Sequence, residues 1–234
     1  MSEVEETAKA AQEIAKTAGK VVDAGERFGV FIAKYISGPL EQGIGIFEDK
    51  LKYMRWERQL RLMQRVNELI RNSGSSAPSK PIPIKIAVPL LQAASMEDDD
   101  YLQDMWAKLL VNAADANSRI ELKRIYIDIM ERLTPFEAQI LEKIYQLPFE
   151  QIQHNGVRTD GLPSAAIAGQ DKVNRADWQE PSPDIKIALI SLAHLGCISP
   201  VRTWGGGEVF SSVNPTLLGK HFIEACTLRN VVEI

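Results

Sequence analysis

The stretch SMEDDDYLQDMWAKLLVNAAD, residues 95–115, sets Glu97, Asp98, Asp99 and Asp100 directly ahead of an apolar run. Such a row is a ligand set for a cation, a carboxylate cluster for catalysis, or the charged first turn of a helix. Spacing decides among these. Leu102, Met105, Trp106, Leu109, Leu110 and Ala113 recur at helical intervals. Consecutive helical residues point about 100° apart, so four adjacent carboxylates diverge instead of converging on one ion. A calcium loop needs alternating ligands, a glycine at its sixth position and a closing glutamate, and none follows. Negative charge is favoured where free backbone N–H groups and the macrodipole emerge at a helix N-terminus. Ser95 followed by Asp98 has the Ser-x-x-acid spacing of a reciprocally bonded cap. The reading is therefore a core helix with Ser95 as its cap, inside a mainly α protein.

Upstream, IKIAVPLLQAAS (84–95) predicts a short helix with Pro89 near its start or kinking it. SGSSAPSKPIP (73–83) has the small, polar, proline-rich composition of a linker. Before it, a long amphipathic helix is expected from about Gly45 to Asn72, with Phe47, Leu51, Met54, Leu60, Met63, Val66 and Ile70 as apolar positions. Residues 50–71 carry seven basic side chains against two acids, the one concentrated basic surface in the chain. Arg55, Arg58, Arg61 and Arg65 share an arc of about 120°. That stripe is read as a solvated or intersubunit salt-bridged face, with anion, nucleic-acid or lipid contact as the functional alternative.

Another helix is expected earlier, with Val21, Ala24, Phe28, Phe31, Ile32 and Tyr35 on one face. Glycines interrupt it, and each interior glycine costs about 1 kcal/mol of helix stability relative to alanine. Gly25 and Gly29 stand one turn apart, as in close helix contacts. Gly25, Phe28, Gly29, Phe31 and Ile32 are accordingly candidates for helix–helix or membrane contact.

Downstream, a helix is expected at about 119–133. Thr134, Pro135 and Glu137 then form a strong start signal, with Thr as cap, Pro at the first position and Glu three after the cap. Residues 148–181 are polar and turn-rich, with a short helix expected near Ser164–Ala168. PSPDIKIALISLAHLGCI predicts a helix from Pro183 to Leu195 stopped by Gly196. Its composition reads as packed core. CISPVRTW and EVFSSV flank Gly205, Gly206 and Gly207 as the arms of a β-hairpin, and TLLGKHFIEAC closes the chain helically. The order of these elements predicts a winged-helix-like module. The domain plan is 1–72 helical, 73–83 linker, 84–133 central helical block and 134–234 winged module.

The remaining chemistry is sparse. The chain has 234 residues, 45% hydrophobic and 25% charged, with a net charge of −4. That composition suits a soluble globular protein and gives no global attraction to nucleic acid or anionic membrane. Residues 134–234 carry eight basic and eleven acidic side chains, so the winged module lacks the cations that phosphate contact demands. His154, His194 and His221 share no metal-ligand spacing with Cys197 or Cys226, and the two cysteines read as buried free thiols. No GxSxG, HExxH, CxxC or Walker pattern occurs. No catalytic, cofactor or metal residue is assigned.

Four segments carry a family resemblance: GPLEQGIGIFEDKLKYMRWERQL (38–60), IPIKIAVPLLQAASMEDDDYLQDMWAKLLVNA (82–113), MERLTPFEAQIL (130–141), and LAHLGCI with LLGKHFIEAC at the end. With these segments the chain resembles the bacterial abortive-infection alpha family, helical proteins associated with phage defence. The resemblance implies a cytoplasmic protein of antiviral defence and transfers no catalytic residues. The expectation is a protein that self-associates and contacts a phage or host protein, or the inner membrane peripherally. Nucleic-acid regulation through the arginine stripe is the alternative.

Overall fold

The computed structural model describes residues 23, 26–37, 56–75, 77–169, 178–202 and 205–228. Gly25, Arg55, the expected start of the long helix and residues 170–177 lie outside the described residues. The chain divides into two compact units, with the division between Leu122 and Lys123.

In the first unit, α1 (26–35) leads into β1 (Ile36–Ser37), which pairs in parallel with β2 (Ile82–Pro83). Between them runs α2 (Trp56–Ser73), and after β2 come α3 (Ile84–Met96) and α4 (Asp100–Ala114). Helix α1 turns Phe28, Phe31, Ile32 and Tyr35 inward, with the rings of Phe31 and Tyr35 4.8 Å apart. Burial of Tyr35 pushes its phenol up to about 12, so it stays neutral. Helix α2 buries Gln59, Leu62 and Val66, while Met63 and Ile70 line an open groove with Val30, Phe31 and Tyr35 of α1. Helix α4 is the centre of the unit. From Leu102 to Ala114 it is buried almost all round, as a helix packed on several sides must be. Pro89 lies inside α3, in a helix that still runs the full 13 residues.

The junction between α3 and α4 corrects the sequence reading. Ser95 is not the cap: it belongs to α3, is fully buried, and its hydroxyl donates to the Leu91 carbonyl at 2.5 Å. The cap is Asp99, whose Oδ1 accepts from the N–H groups of Tyr101 and Leu102 at 2.9 and 3.0 Å. Glu97 accepts from the N–H groups of Asp98 and Asp99. The acidic row thus closes one helix and opens the next. The stretch with linker composition is packed as well. Ala77 and Ile82 are buried, and the N–H groups of Ser79 and Lys80 both donate to the Ala114 carbonyl at 2.9 Å.

The second unit holds α5 (Arg124–Met130), α6 (Pro135–Tyr145), α7 (Phe149–Asn155), β3 (Val157–Arg158), β4 (Ile167–Ala168), α8 (Pro183–His194), β5 (Ile198–Arg202), β6 (Glu208–Pro215) and α9 (Leu217–Ala225). Helix α5 is shorter than the expected 119–133. Residues 115–123 carry no regular structure, and the Ser118 hydroxyl accepts the N–H of Ile120. Helix α6 begins with the full capping box, Thr134 accepting from the Glu137 N–H and Glu137 from the Thr134 N–H. Ile167–Ala168, where a short helix is expected, is instead a strand paired with β3, because Val157 and Arg158 offer it an antiparallel edge. The strands form one antiparallel sheet in the order β4-β3-β6-β5. The β5–β6 ladder shifts register between Pro200 and Val201, where proline supplies no N–H to continue it.

A neutral knot joins the helices of this unit. The Tyr145 hydroxyl at the end of α6 lies 2.6 Å from the Cys197 carbonyl and accepts the Thr216 N–H at 2.8 Å. Burial pushes this phenol up to about 12, against the hydrogen bonds from Thr216, which lower it. Thr216 also caps α9 through the Gly219 N–H. Only glycine fits at 219, because a Cβ there would collide with the Cys197 carbonyl oxygen and the Tyr145 hydroxyl. Cys197 and Cys226 are buried free thiols, and burial lifts the Cys197 thiol to about 12.

Candidate functional site

Two surfaces bear on function: the charged seam where α2 crosses the start of α4, and the outward face of α8. In the seam, Arg58, Arg61 and Arg65 project from α2 at helical spacing toward the acids at the α3–α4 junction. Arg58 Nη2 meets Asp98 Oδ2 at 3.0 Å, and its Nη1 donates to the Met96 carbonyl. Arg61 Nη1 meets Asp100 Oδ1 at 3.2 Å. Arg65 reaches the same oxygen at 2.6 Å through Nη2 and holds Asp104 through Nη1. Three guanidinium groups therefore face three carboxylates. The arginines are partly covered, Arg65 most at 20% exposed, whereas Asp98 and Asp100 stand about three-quarters exposed.

Arg58, Arg61 and Arg65 of the stripe are thus salt-bridged within their own unit, which supplies what neither element could alone. Unpaired, the acids would repel one another and the arginines would form a basic ridge. Together they form a neutral rim beside the apolar contact made by Leu62 and Val66. Exposed pairs contribute about 0–1 kcal/mol each, more when guanidinium and carboxylate are shared in a network. The rim favours the observed register of α2 on α4, because only there do all three arginines meet aspartates.

The outward face of α8 differs in kind. Ile185, Ala188, Leu189 and Leu192 point into the unit. Asp184, Ile187, Ile190 and His194 point to solvent. Ile187 is 66% exposed and Ile190 49%. The expectation that α8 is packed core therefore holds for one face only. Ile187 and Ile190 fall outside the spacing of the four buried residues, but in a helix this apolar, spacing alone does not say which face turns inward. Ahead of α8, Glu180 accepts the N–H groups of Phe210 and Ser211 at 3.0 Å each and pairs with Lys186 at 2.9 Å. Burial works against the Glu180 charge, but Lys186 and the two N–H groups outweigh it and hold the carboxyl below its ordinary range. The one lysine of α8 is thereby engaged.

Of the other residues singled out, Phe28, Phe31 and Ile32 are buried inside the first unit and Gly29 is exposed, with open space where a Cβ would stand. Among the described residues no group of three or more His, Cys, Asp or Glu is placed to hold a metal ion. No described helix is long and apolar enough to cross a membrane. Asp98, Asp100 and Asp104 were missed as partners of the arginines. They lie 35 to 40 positions away along the chain, and nothing in local spacing joins them.

These features define a helix-rich protein with a small antiparallel sheet, in which Arg58, Arg61 and Arg65 are paired with aspartates of their own unit. The chain belongs to the abortive infection alpha family, which matches residues 57–226, from the first turn of α2 to the residue that ends α9. The family ties it to abortive infection, and so to phage defence in general. No curated protein and no solved structure matches the chain.

Proposed function

We propose that the protein acts in phage defence through protein contact and self-association, not through catalysis or nucleic-acid reading. The observation that carries this reading is the contrast in surface chemistry. Arg58, Arg61 and Arg65 are committed to aspartates, while α8 offers solvent two isoleucines. Helices α6 to α8 and the β5–β6 hairpin have the order of a winged-helix-like module, in which α8 takes the place of the reading helix. A reader of nucleic acid needs cations there to displace counterions from phosphate. This helix presents Asp184, Ile187, Ile190 and His194 instead. Exposed apolar residues on a rigid helix are the material of protein interfaces.

Lipid contact through α1 is less well supported than helix contact, because Phe28, Phe31 and Ile32 are already covered by protein. A cytoplasmic location, with a phage or host protein as partner, completes the reading. The test is infection of cells expressing the chain, paired with nucleic-acid retention of the purified protein at low salt. The expected result is reduced phage yield with no retention of DNA or RNA. Retention that weakens steeply with salt and disappears on Arg58→Glu would replace this reading with nucleic-acid regulation.

A further inference from the structure

We infer that the outward face of α8 is a self-complementary dimer surface, whose occupant is α8 of a second copy packed antiparallel to it. The inference rests on the protein-contact reading above and names the surface that reading requires.

The face has a linear order: Asp184, Ile187, Ile190, His194. At 100° per residue these four lie within an arc of about 120°, opposite the buried set. An isologous interface brings one patch onto itself reversed, so residue i meets j and j meets i. Reversed about a point between Ile187 and Ile190, the isoleucines meet each other's counterpart. Asp184 then falls beside His194 of the second copy, and His194 beside its Asp184. A carboxylate and an imidazole pair by hydrogen bond or charge, and neither is engaged in an ion pair among the described residues. Antiparallel apposition also sets the positive N-terminal end of each helix macrodipole beside the negative C-terminal end of the other. A parallel arrangement would place Asp184 against Asp184 and lose both advantages.

Charge complementarity thus selects the second copy over an unrelated partner, which has no reason to match an acid at one end and an imidazole at the other. Ile187 is the most exposed large apolar side chain among the described residues at 66%, and it sits mid-helix on a backbone anchored by Ile185, Ala188, Leu189 and Leu192. A contact built on one helix face is small by the standard of stable interfaces, so the dimer belongs in the micromolar range or weaker.

Sedimentation velocity of the full chain across a wide concentration range tests this. The expected result is reversible dimerisation, weakened at least about tenfold by Ile187→Asp, which would bury a charge against isoleucine. The thermal midpoint should stay unchanged, since the side chain is exposed. A second experiment keeps the orientation falsifiable. Asp184→Lys and His194→Asp should each weaken self-association alone. Mixed, the two variants should form heterodimers. The lysine introduced in one copy would then face the aspartate introduced in the other, and the native Asp184 and His194 left over would face each other. A wild-type monomer at every concentration would overturn both this surface and the self-association reading. Dimerisation unaffected by Ile187→Asp would overturn this surface and leave that reading standing. Weakening by Ile187→Asp without rescue in the mixture would overturn the antiparallel pairing.

Discussion

The two units hold their helices together in opposite ways. In the first, α2 is aligned on α4 by an exposed rim of three arginines and three aspartates. In the second, α6 and α9 are locked by a neutral, half-buried knot around the Tyr145 hydroxyl, Thr216 and Gly219. Water and salt can replace any member of the rim, so it gives direction at modest energy. The knot is harder to exchange, because the Tyr145 hydroxyl and Thr216 bond to each other and to the Cys197 carbonyl, and no Cβ fits at Gly219 beside them. The same contrast separates seam from surface: charge on α2 is turned inward and used, while apolar area on α8 is turned outward and left over.

The sharpest way to break the comparison is at Gly219. Gly219→Ala places a methyl against a carbonyl oxygen and a phenol, and should cost about 3 kcal/mol or more, at the upper end of overpacking effects. Chemical denaturation of the variant checks it, and a loss under about 1 kcal/mol would show that the knot yields. Tyr145→Phe removes the hydroxyl and strands the Thr216 N–H, with an expected loss of about 1–3 kcal/mol by the same measurement. In the first unit, Asp99→Ala removes the true cap of α4 and should cost about 1 kcal/mol, while Ser95→Ala, at the position that spacing alone selects, removes a bond within α3 and should leave the α4 cap intact. Arg65→Gln is expected to cost less than about 1 kcal/mol at low salt, and the difference from wild type should shrink toward zero at high salt. A salt-independent loss would place the rim among the rigid parts.

The smallest effect concerns acid. Glu180 has a lowered pKa in the folded protein, so its contribution is present above the ordinary carboxylate range and is lost as pH falls through the folded value. Stability of Glu180→Gln measured from neutrality downward should therefore show a flatter acid limb than wild type. Equal slopes would mean the strap to β6 is not linked to protonation.

What could be read in the sequence was what depends on near neighbours. Thr134 and Glu137 make their capping box within three residues, Gly196 stops α8 with a φ of +73°, and the strands flanking Gly205–Gly207 pair because the turn between them is short. The acidic row was legible as a helix start for the same reason, although the capping atom moved from Ser95 to Asp99. Two side chains able to cap stand four positions apart, and only the end of α3 at Met96 decides between them.

Family membership was also carried by the residues themselves, since the matched range spans most of the chain. What the tertiary structure alone decided is where each charge and each isoleucine ends up. Arg65 reads as a solvent-facing cation in any isolated helix, and it becomes half of an ionic rim only when α4 arrives from 35 residues away. Ile187 reads as core in any apolar helix, and it becomes surface once Ile185, Ala188, Leu189 and Leu192 have claimed the inward side. Backbone signals act over a single turn and survive in the sequence. The fate of a side chain depends on which distant element reaches it first, and one-dimensional spacing does not hold that information.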